Sequence, residues 1–296
     1  MEVDWLASHV ADVFVLDVRA NDETFTEPPG YAKDPRTGAL QLVQVGGHIP
    51  GAVHIPFSAM RTRRTIDGRQ VDKMLPDKSY FEALLQSAGL RQSDTIVLVT
   101  EGEDAGDLTI AARVYWQLKY YGQDNVAILN GGMLQWLGAR QSVTTTATKK
   151  AKGNWRATAE RRELLATSDD VAAAVKARDV QLIDTRDLAH YLGATKRPYV
   201  TAGGHIPGAK MLPYDLLVEH NSPARFRSPQ NVNELAKALA IDSNKPSITY
   251  CNSGHLAAGN WFVLSELMGN KNVRLYDGSM LEWTLEQRPV TVNRME

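Results

Sequence analysis

The chain's only cysteine lies in a stretch suited to nucleophilic chemistry, Ser-Ile-Thr-Tyr-Cys-Asn-Ser-Gly-His-Leu-Ala-Ala-Gly-Asn-Trp, residues Ser247 to Trp261. The β-prone run Ile248, Thr249, Tyr250 ends at Cys251. Asn252, Ser253 and Gly254 then form a tight polar loop, with Gly254 free to take dihedrals that other residues resist. From Ala257 to Met268 the pattern is that of an amphipathic helix. Cys251 is therefore expected on a strand-to-helix turn, its sulfur beside a helix N-terminus and within reach of solvent. Unpaired N–H groups and the helix dipole favour an anion there, and the thiolate is the reactive form of cysteine. Free cysteines are often simply buried. A glycine-containing loop opening a helix is more often a functional position than a core one, so Cys251 is read as a nucleophile.

The elements that position this loop belong to an internal repeat. Phe14-Val15-Leu16-Asp17-Val18-Arg19 recurs as Gln181-Leu182-Ile183-Asp184-Thr185-Arg186. Gly46-Gly47-His48-Ile49-Pro50-Gly51-Ala52 recurs as Gly203-Gly204-His205-Ile206-Pro207-Gly208-Ala209. The segment from Asn125 to Trp136 recurs from Asn272 to Trp283. Three matches in one order mean two copies of one domain rather than a solenoid. The expected layout is residues 1–143, an exposed polar linker 144–154, and residues 155–296.

Each copy alternates short apolar runs with helical stretches. The first gives strands at 13–18, 53–55, 95–99 and 126–129, with helices at 80–88 and 108–121. The second gives strands at 180–183, 247–250 and 273–275, with helices at 231–239 and 257–268. That alternation predicts an α/β fold, each copy a mainly parallel sheet with helices on both faces. Ligands of such sheets bind outside the carboxyl ends of strands, where Cys251 falls.

Composition narrows the function classes. The chain has 296 residues, 33 basic and 34 acidic, with 43% apolar content. A net charge of −1 gives no basic surface for nucleic acid and no membrane-binding patch. One cysteine allows no internal disulfide and no thiolate cluster, so neither a metal nor a cofactor is expected. No run approaches a membrane span. The first residues lack a signal peptide, which points to the cytoplasm, or to the periplasm had a leader been removed.

The copies differ where chemistry would occur. In place of Cys251 and its loop, the first copy has Thr100-Glu101-Gly102-Glu103-Asp104-Ala105-Gly106-Asp107. Carboxylates there would repel an anionic substrate and disfavour a thiolate, so this copy reads as catalytically silent. It also has a longer insert: the span from Asp17 to His48 is ten residues longer than that from Asp184 to His205. The extra segment contains Glu27 to Pro35 and reads as a loop from its prolines and glycine.

Together these features resemble the rhodanese family in its two-domain form, the thiosulfate and 3-mercaptopyruvate sulfurtransferases. The carriers are the paired Asp-x-Arg strand ends, the paired Gly-His-Ile-Pro-Gly-Ala segments, and Cys-x-Ser-Gly-x-x-Ala from Cys251 to Ala257. The resemblance spans roughly Val3 to Pro289 and includes the helix carrying Ala111 to Trp116, which would face the cleft. It implies that Cys251 takes a sulfane sulfur from a small donor, holds it as a persulfide cradled by loop amides, and passes it to a thiol or cyanide. The chain would act as a monomer with two pseudo-dimeric halves.

The resemblance also implies a donor site of Asn252, Ser253, Gly254, His255 and Leu256, with Arg186, His190 and Arg197 nearby. Ser253 would hold or polarise the substrate as in the mercaptopyruvate branch, or cap the helix. The family usually has an arginine where this chain has His190. His190 and His255 are expected to supply that charge, raising activity at lower pH. Arg197 lies close to a second anion-binding arginine of the mercaptopyruvate branch. Arg186 recurs with Asp184 in the silent copy's Asp-x-Arg, which favours a structural ion pair beside the site. His48 and His205 recur likewise and read as turn residues bonding backbone.

Two other functions compete. Cysteine phosphatases and arsenate reductases have similar thiolate loops, but need an arginine closing the loop, and Ala257, Ala258 and Gly259 supply none. A non-catalytic binding module would have no use for Cys251.

Overall fold

A computed structural model describes residues 1–219 and 223–292. Two parallel sheets repeat one plan. In the first, strand Phe14–Asp17 lies between Val53–His54 and Ile96–Val99, and Val126–Ile128 forms the far edge. In the second, Gln181–Asp184 lies between Lys210–Met211 and Ser247–Tyr250, followed by Val273–Tyr276 and a fifth strand, Leu165–Ala166. Central strands such as Ile96–Val99 and Ser247–Tyr250 are buried along their whole length. Full burial follows because helices cover both faces, and Ile96–Val99 is apolar throughout.

The helices at Lys78–Ser87, Ala105–Tyr120 and Pro229–Ala238 fall where the pattern places them. The helix after Cys251 begins earlier than read from sequence. It runs His255–Trp261 and continues as a π-wound stretch, Phe262–Leu267. A helix at Ser168–Ala177 is started by a capping box, Thr167 and Asp170, that the apolar pattern alone misses. Part of the insert expected to be a loop is a hairpin, Gly30–Lys33 with Leu40–Gln44. Asp34 closes its turn by accepting from the amides of Arg36 and Thr37.

The chain just beyond the expected linker contacts the first half. Residues 144–154 are largely exposed, but Trp155 is 1% exposed. Its indole donates to Gln123 Oε1 at 2.9 Å and packs edge-on against Phe81. The amides of Thr158 and Arg161 bond to Tyr121 and Tyr120. Residues 155–161 therefore pack on the first half, beyond the linker expected at 144–154.

The halves meet face to face. Helix Ala105–Tyr120 packs on His255–Trp261, and one apolar cluster includes Leu16, Ile110 and Trp116 of the first half with Ile183, Ala257 and Trp261 of the second. A hairpin in each half docks on the other half's loop. Leu75 N donates to Asp277 Oδ2 at 2.6 Å, and Phe226 N donates to Asn130 Oδ1 at 3.1 Å. Asn130 and Asp277 are equivalent positions of the repeat, so the interface follows a pseudo-twofold. Among the described residues no helix is long and apolar enough to cross a membrane.

Candidate active site

Strand Ser247–Tyr250 delivers Cys251 to the carboxyl edge of the second sheet, between the ends of Gln181–Asp184 and Val273–Tyr276. The loop that follows is pinned from below by Ser279. Its hydroxyl accepts from Cys251 N and Gly254 N, each at 3.0 Å, and donates to Tyr276 O at 2.8 Å. A hydroxyl has one proton and two lone pairs, so Ser279 is fully used. It sits at φ +51, a left-handed conformation unusual for a residue with a side chain. The first copy has Gly132 there, at φ +54, and no hydroxyl. Sequence reading passed over Ser279; the Gly-Gly to Gly-Ser change between the copies is the signal that marks it.

A second clamp crosses the domain interface. Arg113 Nη2 lies 2.6 Å from Asp277 Oδ1, with both side chains buried, while Arg113 Nη1 donates to Gly254 O at 3.3 Å. Gly254 is at φ +72, and a Cβ there would lie 2.7 Å from Asp277 O. Both the conformation and the clearance require glycine. Breaking a buried pair such as Arg113–Asp277 costs about 3–5 kcal/mol, because it strands a charge.

Around the sulfur, Ser253 N points to Cys251 Sγ at 3.4 Å. Gly254 N is committed to Ser279, so the loop does not aim every amide at the sulfur as expected. Ser253 is not the helix cap; that position is Gly254, with no side-chain cap bond. The Ser253 hydroxyl has no protein partner among the described residues, and Asn252 Oδ1 is buried without one. Leu256 packs against the shared apolar cluster. Cys251 is only 2% exposed, which corrects the expectation of an open thiol. The physical reason is the first domain, whose Phe57 joins the same cluster and lies 4.8 Å, ring to ring, from His255.

Both expected histidines are engaged within the protein. His255 Nε2 is engaged by Thr109 Oγ1 at 2.9 Å and Gly106 O at 3.1 Å. Burial, with Arg61 and Arg113 adding to it, pushes its pKa down to about 3, so the ring is neutral. His190 Nδ1 is 2.5 Å from Asp187 Oδ2. Any charge on it is matched by that carboxylate rather than offered to a donor. The two rings therefore do not replace the missing arginine.

Arg186 is also unavailable to a donor through most of its fork. Its Nε and Nη2 grip Asp184, with Nη2 at 2.6 Å from Oδ2, and Nη2 also donates to Gly204 O. Arg19 repeats this with Asp17 and Gly47 O in the silent half. The pair ties a strand end to the Gly-His-Ile-Pro turn. His48 and His205 bond the carbonyls of Phe25 and Tyr191 and stack on those rings.

Cations reach the site from elsewhere. Arg61, in the first domain, lies over the Phe57 ring at 4.2 Å, close enough to Cys251 and Arg113 for mutual electrostatic influence. Lys73 lies over Tyr199 at 3.9 Å, near Arg61, Arg197 and Cys251. Arg197 itself is exposed. Sequence reading missed Arg61 and Lys73 because it sought the charge within the second copy.

In the silent half, Thr100 stands where the repeat places Cys251. Asp107 accepts from Gly102 N, and burial pushes its pKa up to about 7. Glu101 accepts from Thr24 Oγ1 at 2.7 Å. The cradle is there filled by the protein's own carboxylates.

Two tandem units, parallel sheets and a cysteine loop at a sheet's carboxyl edge define a recognisable class. The rhodanese-like domain model matches residues 2–139 and again 167–286, and the chain belongs to that family. The thiosulfate sulfurtransferase of Bos taurus is 30% identical over 260 residues, covering 87% of this chain and 84% of its own. A solved 3-mercaptopyruvate sulfotransferase, SseA from Escherichia coli, superposes with a TM-score of 0.75 at 27% identity, over 94% of this chain and 97% of its own. The Tum1 protein of Saccharomyces cerevisiae shares the fold, with a TM-score of 0.78 at 20% identity, over 99% of this chain and 98% of its own. The protein is a sulfurtransferase.

Proposed function

We propose that Cys251 carries the transferred sulfur and that 3-mercaptopyruvate is the preferred donor. The observation that carries this reading is a cysteine loop without charge. Asn252, Ser253, Gly254 and Leu256 are neutral by type, and His255 is neutral by burial. Thiosulfate bears its negative charge on the sulfur under attack and on oxygens two bonds from it, so it gains most from a cation inside the loop. In 3-mercaptopyruvate a methylene and a carbonyl separate the sulfur from the carboxylate, so the matching cation belongs further out. The relatives are named for both donors, and the loop is what favours one.

The Cys251 thiolate attacks the donor sulfur. The carbon–sulfur bond breaks, and its electron pair becomes the enolate of pyruvate, which takes up a proton. Cys251 is left as a persulfide whose terminal sulfur is anionic. The first amides of helix His255–Trp261 have no intrahelical acceptor and can receive that charge. The unpartnered Ser253 hydroxyl is free to donate to the donor's carbonyl oxygen. A thiol or cyanide then attacks the terminal sulfur and restores the thiolate. Because Cys251 is nearly enclosed, donor entry displaces part of the wall from the first domain. The working unit is a monomer whose halves complete one site.

Initial rates with both donors test the preference. The expected kcat/KM is at least tenfold higher for 3-mercaptopyruvate. Equal or better use of thiosulfate would overturn it.

A further inference from the structure

Two of the cations near the sulfur, Arg61 and Lys73, belong to the half without a nucleophile. Arg61 follows the turn Phe57–Met60 and leads into the hairpin Thr62–Ile66 with Arg69–Met74. Its guanidinium lies on Phe57, and its Nε is buried with no hydrogen-bond partner. A buried, unsatisfied cationic donor is costly unless a ligand completes it. Lys73, on the return strand of the same hairpin, sits at φ +66. Such strain in a residue with a side chain is retained where surrounding structure fixes the group in place. Among the described residues neither cation has an ion-pair partner. The nearby carboxylates are engaged elsewhere: Asp277 with Arg113 and Leu75 N, Asp72 with Arg63.

We infer that Arg61 and Lys73 form the anchor for the donor's anionic group, contributed across the domain interface by the silent half, with Arg197 at its outer rim. This rests on the reading of Cys251 as the sulfur carrier. It explains why the chain works with His190 where an arginine is usual and with an uncharged loop. Arginine presents a flat fork suited to a carboxylate, while lysine adds a mobile point charge.

The test separates this inference from the donor preference. Cys251 is alkylated with anionic iodoacetate and with neutral iodoacetamide, in the full chain and in Arg61→Gln, Lys73→Gln and Arg61→Lys variants. The rate ratio of the two reagents reports the potential at the sulfur, whichever donor is natural. Arg61→Gln should lower the iodoacetate-to-iodoacetamide ratio at least fivefold and Lys73→Gln about twofold, with Arg61→Lys retaining most of it. Steady-state kinetics should show KM for the anionic donor rising about tenfold or more in Arg61→Gln, with kcat changed less than threefold. An unchanged ratio in both glutamine variants, or a loss in kcat with KM unmoved, would overturn the anchor. Wild-type rates with the two donors judge the donor preference separately.

Discussion

At the scale of the residue, the nucleophile depends on a serine that performs no chemistry. Ser279 is the single acceptor for two loop amides and holds an unfavourable backbone angle to be so. Removing its hydroxyl leaves Cys251 N and Gly254 N buried without a partner, at about 1–3 kcal/mol. Ser279→Ala should therefore lower stability in denaturant titration by about 2 kcal/mol and reduce kcat at least tenfold, through disorder of the loop. Unchanged kcat in a folded Ser279→Ala protein would show that the loop holds itself. Cys251 could be read from sequence because a sole cysteine after a β-run announces itself locally. Arg113 and Asp277 could not, because their pairing exists only after distant segments meet, and Ser279 is marked only by its difference from Gly132. The two histidines misled for the same reason: residue type shows that a ring can be charged, and burial decides that His255 is not.

At the scale of the element, the repeat made most strands and the larger helices legible. Periodicity and length are local properties, and they survive folding. Hairpins and caps were less visible. Thr62–Ile66 with Arg69–Met74 is polar and short, and its function lies in what it carries to the other half. The silent loop shows the same dependence on context. Asp107 titrates near pH 7 when folded, against about 4 unfolded, because burial disfavours its charge. Between these values the native state holds a proton that the unfolded chain has lost, so stability falls as pH rises from 4 to 7. Glu282, also raised to about 7 by burial, acts in the same direction, while His255, held near 3, opposes them both below about pH 6.5. Urea titrations at pH 5 and pH 8 should show the native protein losing stability at the higher pH. Asp107→Asn should remove about 2–3 kcal/mol of that loss. A variant with the same pH slope as the native protein would place the titration elsewhere.

At the scale of the whole molecule, duplication has been followed by division of labour. One half keeps the nucleophile. The other closes its own cradle with Asp107 and Glu101, then supplies Arg113, Phe57 and Arg61 to its neighbour's site. The shared apolar cluster and the reciprocal hairpins make the halves one structure. Trp155, inside a polar region, is an anchor to the first half. A single buried side chain can make contacts that average composition does not announce.

Sulfur transfer here requires the Cys251 sulfur to receive the donor's sulfur. Because Cys251 is the only cysteine, intact mass after incubation with 3-mercaptopyruvate reports directly on it. The predicted result is a gain of one sulfur atom, lost on adding cyanide and absent in Cys251→Ser. No gain in the native chain, or the same gain in Cys251→Ser, would contradict it.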